Sequence, residues 1–395
     1  MAGLGPPDSA SFAFDVLRTD AELGSLEDEW LDLWLRSKTQ DPFAHPGWVT
    51  AWLRHFVADH SIRRVVTARS EGQLVAVAPF YLHTYGRRPI KGRCLQLIGG
   101  GGGHGEDPLT EMGEILIGAD DWRKVMREVI HFVAAELEAD FDWLGLALTP
   151  QQGWFDNRWV PETWRRAGSI GIHKECRPLV VLPLPSDWAE LRLKRNMKEA
   201  IRRAKNRIAA VDPSAEARFV SGDAAPAALE EVYELHRRRS EARGHVLHRD
   251  DLHESLRRFA TDAVSGLART GHASVGLLSV NGSSIAGRVV LTADNTSYLS
   301  LSGLDPEHWK LGGGTFLISA AIRNAIDRQA ELFNLSAYPD DAKLRWSEQC
   351  QYQNQFVVVC PRRSSRRAFE LYWLMRAHRF AKFESALHRD ALEGE

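Results

Sequence analysis

GLDPEHWKLGGGTFLISAAI, residues 303–322, and FNLSAYPDDAKLRW, residues 333–346, form the stretch on which the reading of this chain turns. Three consecutive glycines, Gly312, Gly313 and Gly314, stand between a strand-like run at Ser297–Ser302 and a helix-forming run that begins at Thr315. Glycine lets backbone approach a ligand closely, and the free N–H groups and positive dipole end of the following helix favour an anion such as a pyrophosphate. A turn that holds no ligand fits the same residues. Beyond the helix, ELFNLSA (331–337) reads as a strand that closes the unit.

Working outward, the elements around this stretch occur twice. Residues 14–36 read as a short strand (Phe14, Val16), an N-cap-like Asp20 and a helix with Leu26, Trp30, Leu33 and Trp34 on one face. A shift of 203 positions places Asp20 on Asp223, Ala21 on Ala224, Leu26 on Leu229, Glu27 on Glu230 and Trp30 on Tyr233. In each half a second helix (48–57; 252–264) leads to a hairpin, turning at Glu71-Gly72 and at Asn281-Gly282. An apolar run, an Asp-Pro pair (Asp107-Pro108; Asp305-Pro306), an amphipathic helix (about 121–138; about 314–329) and a closing strand (141–148; 331–337) follow. The order is strand, helix, helix, hairpin, strand, helix, strand, twice.

This order, with DPFAHPGWVTAW at 41–52, LKRNMKEAIRRAKNRI at 193–208 and the stretch quoted first, resembles the GNAT acyltransferase superfamily. Within it, the chain is similar to the double-domain CelD/BcsL-like acetyltransferase branch, relatives of the Fem aminoacyl transferases, from about Phe14 to Cys360. The resemblance implies an α/β (α+β) fold class, tandem GNAT-like folds whose sheets are mixed, mainly antiparallel and flanked by helices. It implies an N-terminal acceptor-side domain at 12–175, a linker strand and basic helix at 176–212, an acyl-CoA domain at 213–361 and a helical tail at 362–395. It also implies acetyl-CoA or another acyl-CoA as co-substrate, held by Lys310, Leu311, Gly312, Gly313, Gly314 and Thr315. Trp309 stands where that family places Arg or Gln, and Lys310 supplies the positive charge.

The chemistry implied is attack of an amine acceptor on a thioester carbonyl. The site must remove a proton, hold the oxyanion on backbone N–H groups and reprotonate the leaving group. Acid and base candidates in the crevice are Asp305, Glu307, His308, Tyr338, Asp340 and Asp341; Tyr338, Asp305 and Asp340 are taken as catalytic, with Tyr338 placed to protonate the thiolate. On the acceptor side the glycine-rich GGGGGHGED (99–107) reads as a lid carrying His104 and Asp107, or as an irregular surface loop, and Arg195, Lys343 and Trp346 complete the substrate contacts. The branch resembled carries F-D-F, then Gly, then Tyr-Lys, then Trp. Here Phe333-Asn334-Leu335 and Ala342 depart from that pattern while Lys343 and Trp346 stay in register.

The segment at 191–208 carries Lys194, Arg195, Lys198, Arg202, Arg203, Lys205 and Arg207 against the single acid Glu199, with Leu191, Met197, Ile201, Ala204 and Ile208 as an apolar stripe. Its cationic face fits a solvated helix, CoA phosphates, a nucleotide-bearing acceptor or the acceptor end of a tRNA. Two alternatives to acyl-CoA chemistry stay open: a Fem-like aminoacyl transferase using charged tRNA, and a non-catalytic GNAT scaffold that binds a ligand.

Length and charge set the outer bounds. The 395 residues allow two or three domains, and 50 Lys+Arg against 52 Asp+Glu, net −2, exclude a uniformly basic surface built for nucleic acid. Cys94, Cys176, Cys350 and Cys360 have no metal-ligand spacing, so reduced thiols, a cytoplasmic setting and no metal are expected. Neither the MAGLGPPDSASF start nor any apolar run predicts a signal peptide or a membrane span. His245, His248, Asp250, Asp251, His253 and Glu254 point several ways on a helix start, which argues against a metal centre. Trp154, Trp159 and Trp164 read as core mass or as lining of an inter-domain groove, and the tail at 362–388 as an amphipathic helix docking on its own protein or on a second copy in a homodimer.

Overall fold

In the computed structural model, which describes residues 12–37, 40–87, 90–99, 109–169, 171–242 and 254–375, the two halves repeat one series of elements. The first comprises β1 (Phe12–Leu17), α1 (Asp20–Arg36), α2 (Pro46–Phe56), β2 (Arg63–Ser70), β3 (Gln73–Arg87), β4 (Ile90–Leu97), the short β5 (Leu116–Ile117), α3 (Trp122–Glu136), β6 (Trp143–Leu148), α4 (Glu162–Arg166) and β7 (Gly171–Pro183). After α5 (Arg195–Val211) the second runs β8 (Ala217–Val220), α6 (Ala225–Ala242), α7 (Glu254–Arg269), β9 (Ala273–Val280), β10 (Ser283–Ala293), β11 (Thr296–Leu304), α8 (Gly313–Asp327), β12 (Leu332–Ala337), α9 (Asp341–Leu344) and β13 (Cys350–Val359).

Local chemistry explains most boundaries. Both hairpins turn through two left-handed residues, Glu71 and Gly72 (φ 52° and 81°) and Asn281 and Gly282 (φ 50° and 78°), the geometry that matches strand twist. Helix α1 is capped by Thr19 and not by Asp20. The Thr19 hydroxyl accepts from Glu22 N while the Glu22 carboxylate accepts from Thr19 N, a reciprocal cap one residue upstream of the expected one. Asp20 is thereby left to pair with the buried Arg63 at 2.7 Å.

The described strands form one 13-stranded sheet in the order β1-β2-β3-β4-β6-β13-β7-β12-β11-β10-β9-β8, with β5 on β3. Two pairs are parallel, β4 with β6 and β11 with β12; the others are antiparallel. The last strands of the halves change places: β13 lies between β6 and β7, and β7 lies between β13 and β12. Positions 175 and 176 are neighbours within β7.

On one face, α2 and α7, equivalent helices of the repeat, pack directly on each other. A Cβ built on Gly266 would stand 3.0 Å from Gly47 Cα, and one on Gly47 3.1 Å from Gly266 Cα. Trp48 meets Phe259 edge-on at 5.1 Å, and one core cluster joins Trp30, Trp34, Trp48 and Trp52 to Leu229, Tyr233 and Leu267. Because backbone faces backbone at the crossing, Gly266→Val has nowhere to yield. A loss on the order of 1–3 kcal/mol is expected, read as a lower urea midpoint at unchanged slope.

Trp159 and Trp164 are buried in the core of the first half, whereas Trp154 is 66% exposed. Of the expected tail helix, 363–375 is helical and docks on its own protein, with Tyr372 stacked on Trp143 at 5.3 Å, while 376–388 lies outside the described residues. Among the described residues no helix is long and apolar enough to cross a membrane.

Candidate active site

The parallel pair in the second half is short. β11 and β12 are in register over Thr296–Leu332, Ser297–Phe333 and Tyr298–Asn334, and then separate. β10 follows β11 as far as Leu304, but β12 bends away. Ser336 (φ 90°) and Tyr338 (φ 59°) both occupy the left-handed region, each at a cost of about 1 kcal/mol or more that surrounding contacts must offset. Those contacts are explicit. Ser336 N donates to Asn334 Oδ1 at 2.8 Å, Tyr338 N donates to Pro178 O at 2.8 Å, and the Lys343 ammonium donates to Ala337 O and Tyr338 O, both at 2.8 Å. Asn334 and Lys343, a departure from and a match to the resembled pattern, are thus both used to hold the bent strand end.

Into this bend the first half delivers a carboxylate. Residues 109–115 are fixed from both halves: Trp48 Nε1 donates to Thr110 Oγ1 at 2.9 Å, Arg177 Nη1 to Glu111 O at 2.6 Å and Gln353 Nε2 to Gly113 O at 3.2 Å. Gly113 admits no side chain, since a Cβ would lie 2.2 Å from Ile98 O. Glu111, 8% exposed, receives hydrogen bonds from the Ser336 side chain and the Ala337 N–H, with the Lys343 and Arg177 charges nearby. Burial outweighs these and pushes its pKa from 4.5 up to about 7, while Oε2 has no hydrogen-bond partner among the described residues. A carboxyl whose pKa lies near neutrality, with a buried oxygen left unpaired among the described residues beside a splayed strand pair, is suited to take a proton from a nucleophile seated against it. Sequence reasoning missed it, although LTEMGEILIG (109–118) carries a signal: two acids inside an otherwise apolar run.

Deeper in lie Asp41 and Glu114, each 2% exposed, and Tyr298 at the last register pair. Burial raises both carboxyls well above the usual carboxylate range; the charge of Asp41 adds to it at Glu114 and the charge of Glu111 at Asp41, although Phe43 N donates to Asp41 at 2.7 Å. Burial and the same two carboxyls raise the Tyr298 phenol. A carboxyl with a raised folded pKa binds more protons folded than unfolded, so stability falls as pH climbs above the unfolded value of 4.5. Glu114→Gln removes that penalty. Its melting temperature is expected to match wild type near pH 4 and to exceed it increasingly towards pH 8.

The glycine run forms the opposite wall. Asp305 caps the 3-10 turn Pro306–Leu311 by accepting from Glu307 N at 3.0 Å, and its other oxygen meets His308 Nδ1 at 3.1 Å. Gly312 turns left-handed (φ 78°) to start α8, a conformation glycine adopts without strain. Among the described residues, no backbone acceptor takes the N–H groups of Gly313, Gly314 and Thr315, and no side chain caps them. Helix α5 runs alongside: Ala204 would touch a Cβ on Gly312 at 3.1 Å, and Arg207 donates to Lys310 O. Since β11 and β12 are parallel, their diverging ends, the α8 N-terminus and Tyr338 share one edge of the sheet.

The remaining expected residues take these places. Tyr338 is 52% exposed with the Arg177 guanidinium 5.9 Å from its ring centroid. Asp340 caps α9 and pairs with Lys343 at 3.1 Å; burial raises its pKa, but the bonds and charge of Lys343 bring it below the ordinary value. Lys310 and Trp309 are exposed on the turn, and Leu311 is half-buried beside Gly312. Trp346 is buried in the core beneath α8, and Arg195 begins the exposed cationic face of α5 with Lys198, Arg202 and Arg203. His104, Asp107 and the histidine-rich residues 245–253 lie outside the described residues. Among the described residues no group of His, Cys, Asp and Glu has the arrangement to hold a metal ion.

Residues 195–346 match the family of the acetyltransferase (GNAT) domain. The solved structures that share the fold include two that do so along nearly their whole length. One is a conserved protein of unknown function from Bacteroides thetaiotaomicron, 15% identical, covering 88% of this chain and 100% of that one at a TM-score of 0.53. The other is FemX, 10% identical, covering 88% of this chain and 98% of that one at a TM-score of 0.57. No curated protein matches the chain.

Proposed function

We propose that this chain, whose second half carries a GNAT acetyltransferase domain, is an N-acyltransferase that moves an acyl group, acetyl by preference, from acyl-CoA to an amine in the cleft between its halves. The observation that carries the reading is Glu111, a buried carboxyl from the first half set against the bent β12 end of the second. The donor pyrophosphate lies on the Gly313, Gly314 and Thr315 N–H groups, with Lys310 beside it and the cationic face of α5 alongside. The amine nitrogen attacks the thioester carbonyl while Glu111 Oε2 takes its proton. N–H groups of β11 beyond Tyr298, on the side that β12 leaves, receive the oxyanion; the C–S bond then breaks and Tyr338 protonates the thiolate. Most of the rate comes from holding the two substrates together.

One observation favours a second reading. The exposed run Arg195, Lys198, Arg202, Arg203 and Lys205 is longer than CoA phosphates need, and fits the acceptor end of a charged tRNA in a Fem-like reaction with an ester donor. The two donors separate by salt dependence. Acyl-CoA binding should weaken modestly between 50 and 200 mM salt, roughly within tenfold, whereas an RNA held by several phosphates should lose about 10³-fold or more. Binding of charged tRNA alone would transfer the assignment to the ester donor, and binding of neither would leave a non-catalytic scaffold.

A further inference from the structure

On the sheet face opposite Glu111, the exchanged strands floor a groove of about 590 Å³ lined by Gln151, Trp154, Cys176, Gln351, Tyr352 and Asn354 among others. Strand alternation separates the faces: Arg177 and Gln353 reach the Glu111 segment, while their neighbours Cys176, Tyr352 and Asn354 face the groove. Two large aromatics stand open there, Trp154 at 66% exposure and Tyr352 at 51%, and the lining residues include no charged side chain. Asn354 is 4% exposed; its Nδ2 donates to Gly153 O at 3.0 Å, which fixes the amide so that Oδ1 is the free end, buried and without a hydrogen-bond partner. A buried acceptor left unpaired beside open aromatic faces calls for a ligand that brings a donor.

We propose that this groove binds a sugar ring of the acceptor, which makes the acceptor an amino sugar or a glycan-borne amine; the inference rests on the acyl-transfer reading above. A pyranose has an apolar C–H face to lay on an indole and a rim of hydroxyls for Asn354 Oδ1 and the Gln151 amide. An acyl chain would leave Asn354 Oδ1 unpaired, and a charged headgroup would find no counter-charge in the groove. The position agrees. Tyr352 pairs in register with Pro178, whose carbonyl accepts from Tyr338 N, so the groove edge and the bent β12 end lie two strands apart, about 10 Å. β12 leaves β7 at Leu179, so a linked saccharide rounding the β7 edge from Pro178 onward passes from the groove to the bent strand end on the other face.

The test is titration of the full chain with N-acetylglucosamine, its β1,4-linked dimer and uridine, followed by tryptophan fluorescence, with acetyl-CoA titrated in parallel. The dimer is expected to bind more tightly than the monomer, and Trp154→Ala to weaken it about tenfold with acetyl-CoA affinity unchanged. Because Trp154 is exposed, the variant should fold, and its melting temperature checks that it has. Acetyl-CoA binding without saccharide binding, binding of uridine in preference, or saccharide affinity indifferent to Trp154→Ala would each overturn the groove assignment and leave acyl transfer standing. Saccharide binding sensitive to Trp154→Ala without acetyl-CoA binding would support the groove and remove the donor.

Discussion

Glu111→Gln is expected to lower kcat/KM for acyl transfer by about 10²–10⁴-fold, the span of a positioned general base. Wild-type activity should rise with pH through an acidic limb near 7, where burial has moved the Glu111 carboxyl, and the variant's residual activity should lack that limb. The same substitution should stabilise the protein. Glu111 titrates at about 7 folded against 4.5 unfolded, so ionising it opposes folding above pH 4.5 by an amount that grows to on the order of 3 kcal/mol by pH 8. An amide of the same shape escapes that penalty. Lost activity with a higher melting temperature at pH 8, and little change in melting temperature at pH 4.5, separates a base held at a cost from a residue that merely supports the fold. A variant that loses activity and stability together would place Glu111 among the structural residues.

Thr315→Glu should weaken acyl-CoA binding by about tenfold to a hundredfold while leaving the fold intact or slightly firmer. Thr315 lies in the first turn of α8, where the N–H groups of residues 313–315 have no acceptor among the described residues. A carboxylate in a helix's first turn accepts such groups and complements the dipole, worth about 0.3–1 kcal/mol to the helix, but it meets a pyrophosphate with like charge. Calorimetric titration with acetyl-CoA and a thermal melt read the two effects apart. Unchanged affinity would take the donor away from the glycine run.

Much of the fold is legible in the sequence because the repeat is carried by local signals. Asn281-Gly282 and Glu71-Gly72 dictate tight hairpins by their φ values, and the apolar faces with Leu26 and Trp30, or Leu229 and Tyr233, dictate helices. The exchange of β7 and β13 is not legible. QYQNQ at 351–355 reads as a wet strand, yet Gln353, Asn354 and Gln355 are buried where the halves meet: the first two donate to the backbone of Gly113 and Gly153, and the third accepts from Lys174 Nζ. Pairing between strands about 150 positions or more apart leaves no mark in local periodicity.

The site divides the same way. Gly312–Gly314, Lys343 and Tyr338 announce themselves through glycine spacing and register with a family pattern. Glu111 acts on β12 from more than 200 positions away, and only its place in an apolar run betrays it. Asp305 and Asp340, attractive as acids from sequence, hold the 306–311 turn and the start of α9. Trp346, attractive as a contact, fills the core under α8. Residue type and spacing identify groups able to do chemistry; burial and partners decide which of them have a free oxygen.

The most direct measurement of acyl transfer between the halves is release of free thiol from acetyl-CoA by the purified chain, with and without a panel of primary amines that includes glucosamine. Little release is expected without amine, amine-dependent release should rise with pH through about 7, and Glu111→Gln should abolish that release with acetyl-CoA still bound. Amine-dependent release at the same rate in Glu111→Gln, or no binding of acetyl-CoA while charged tRNA binds, would contradict acyl transfer by this route.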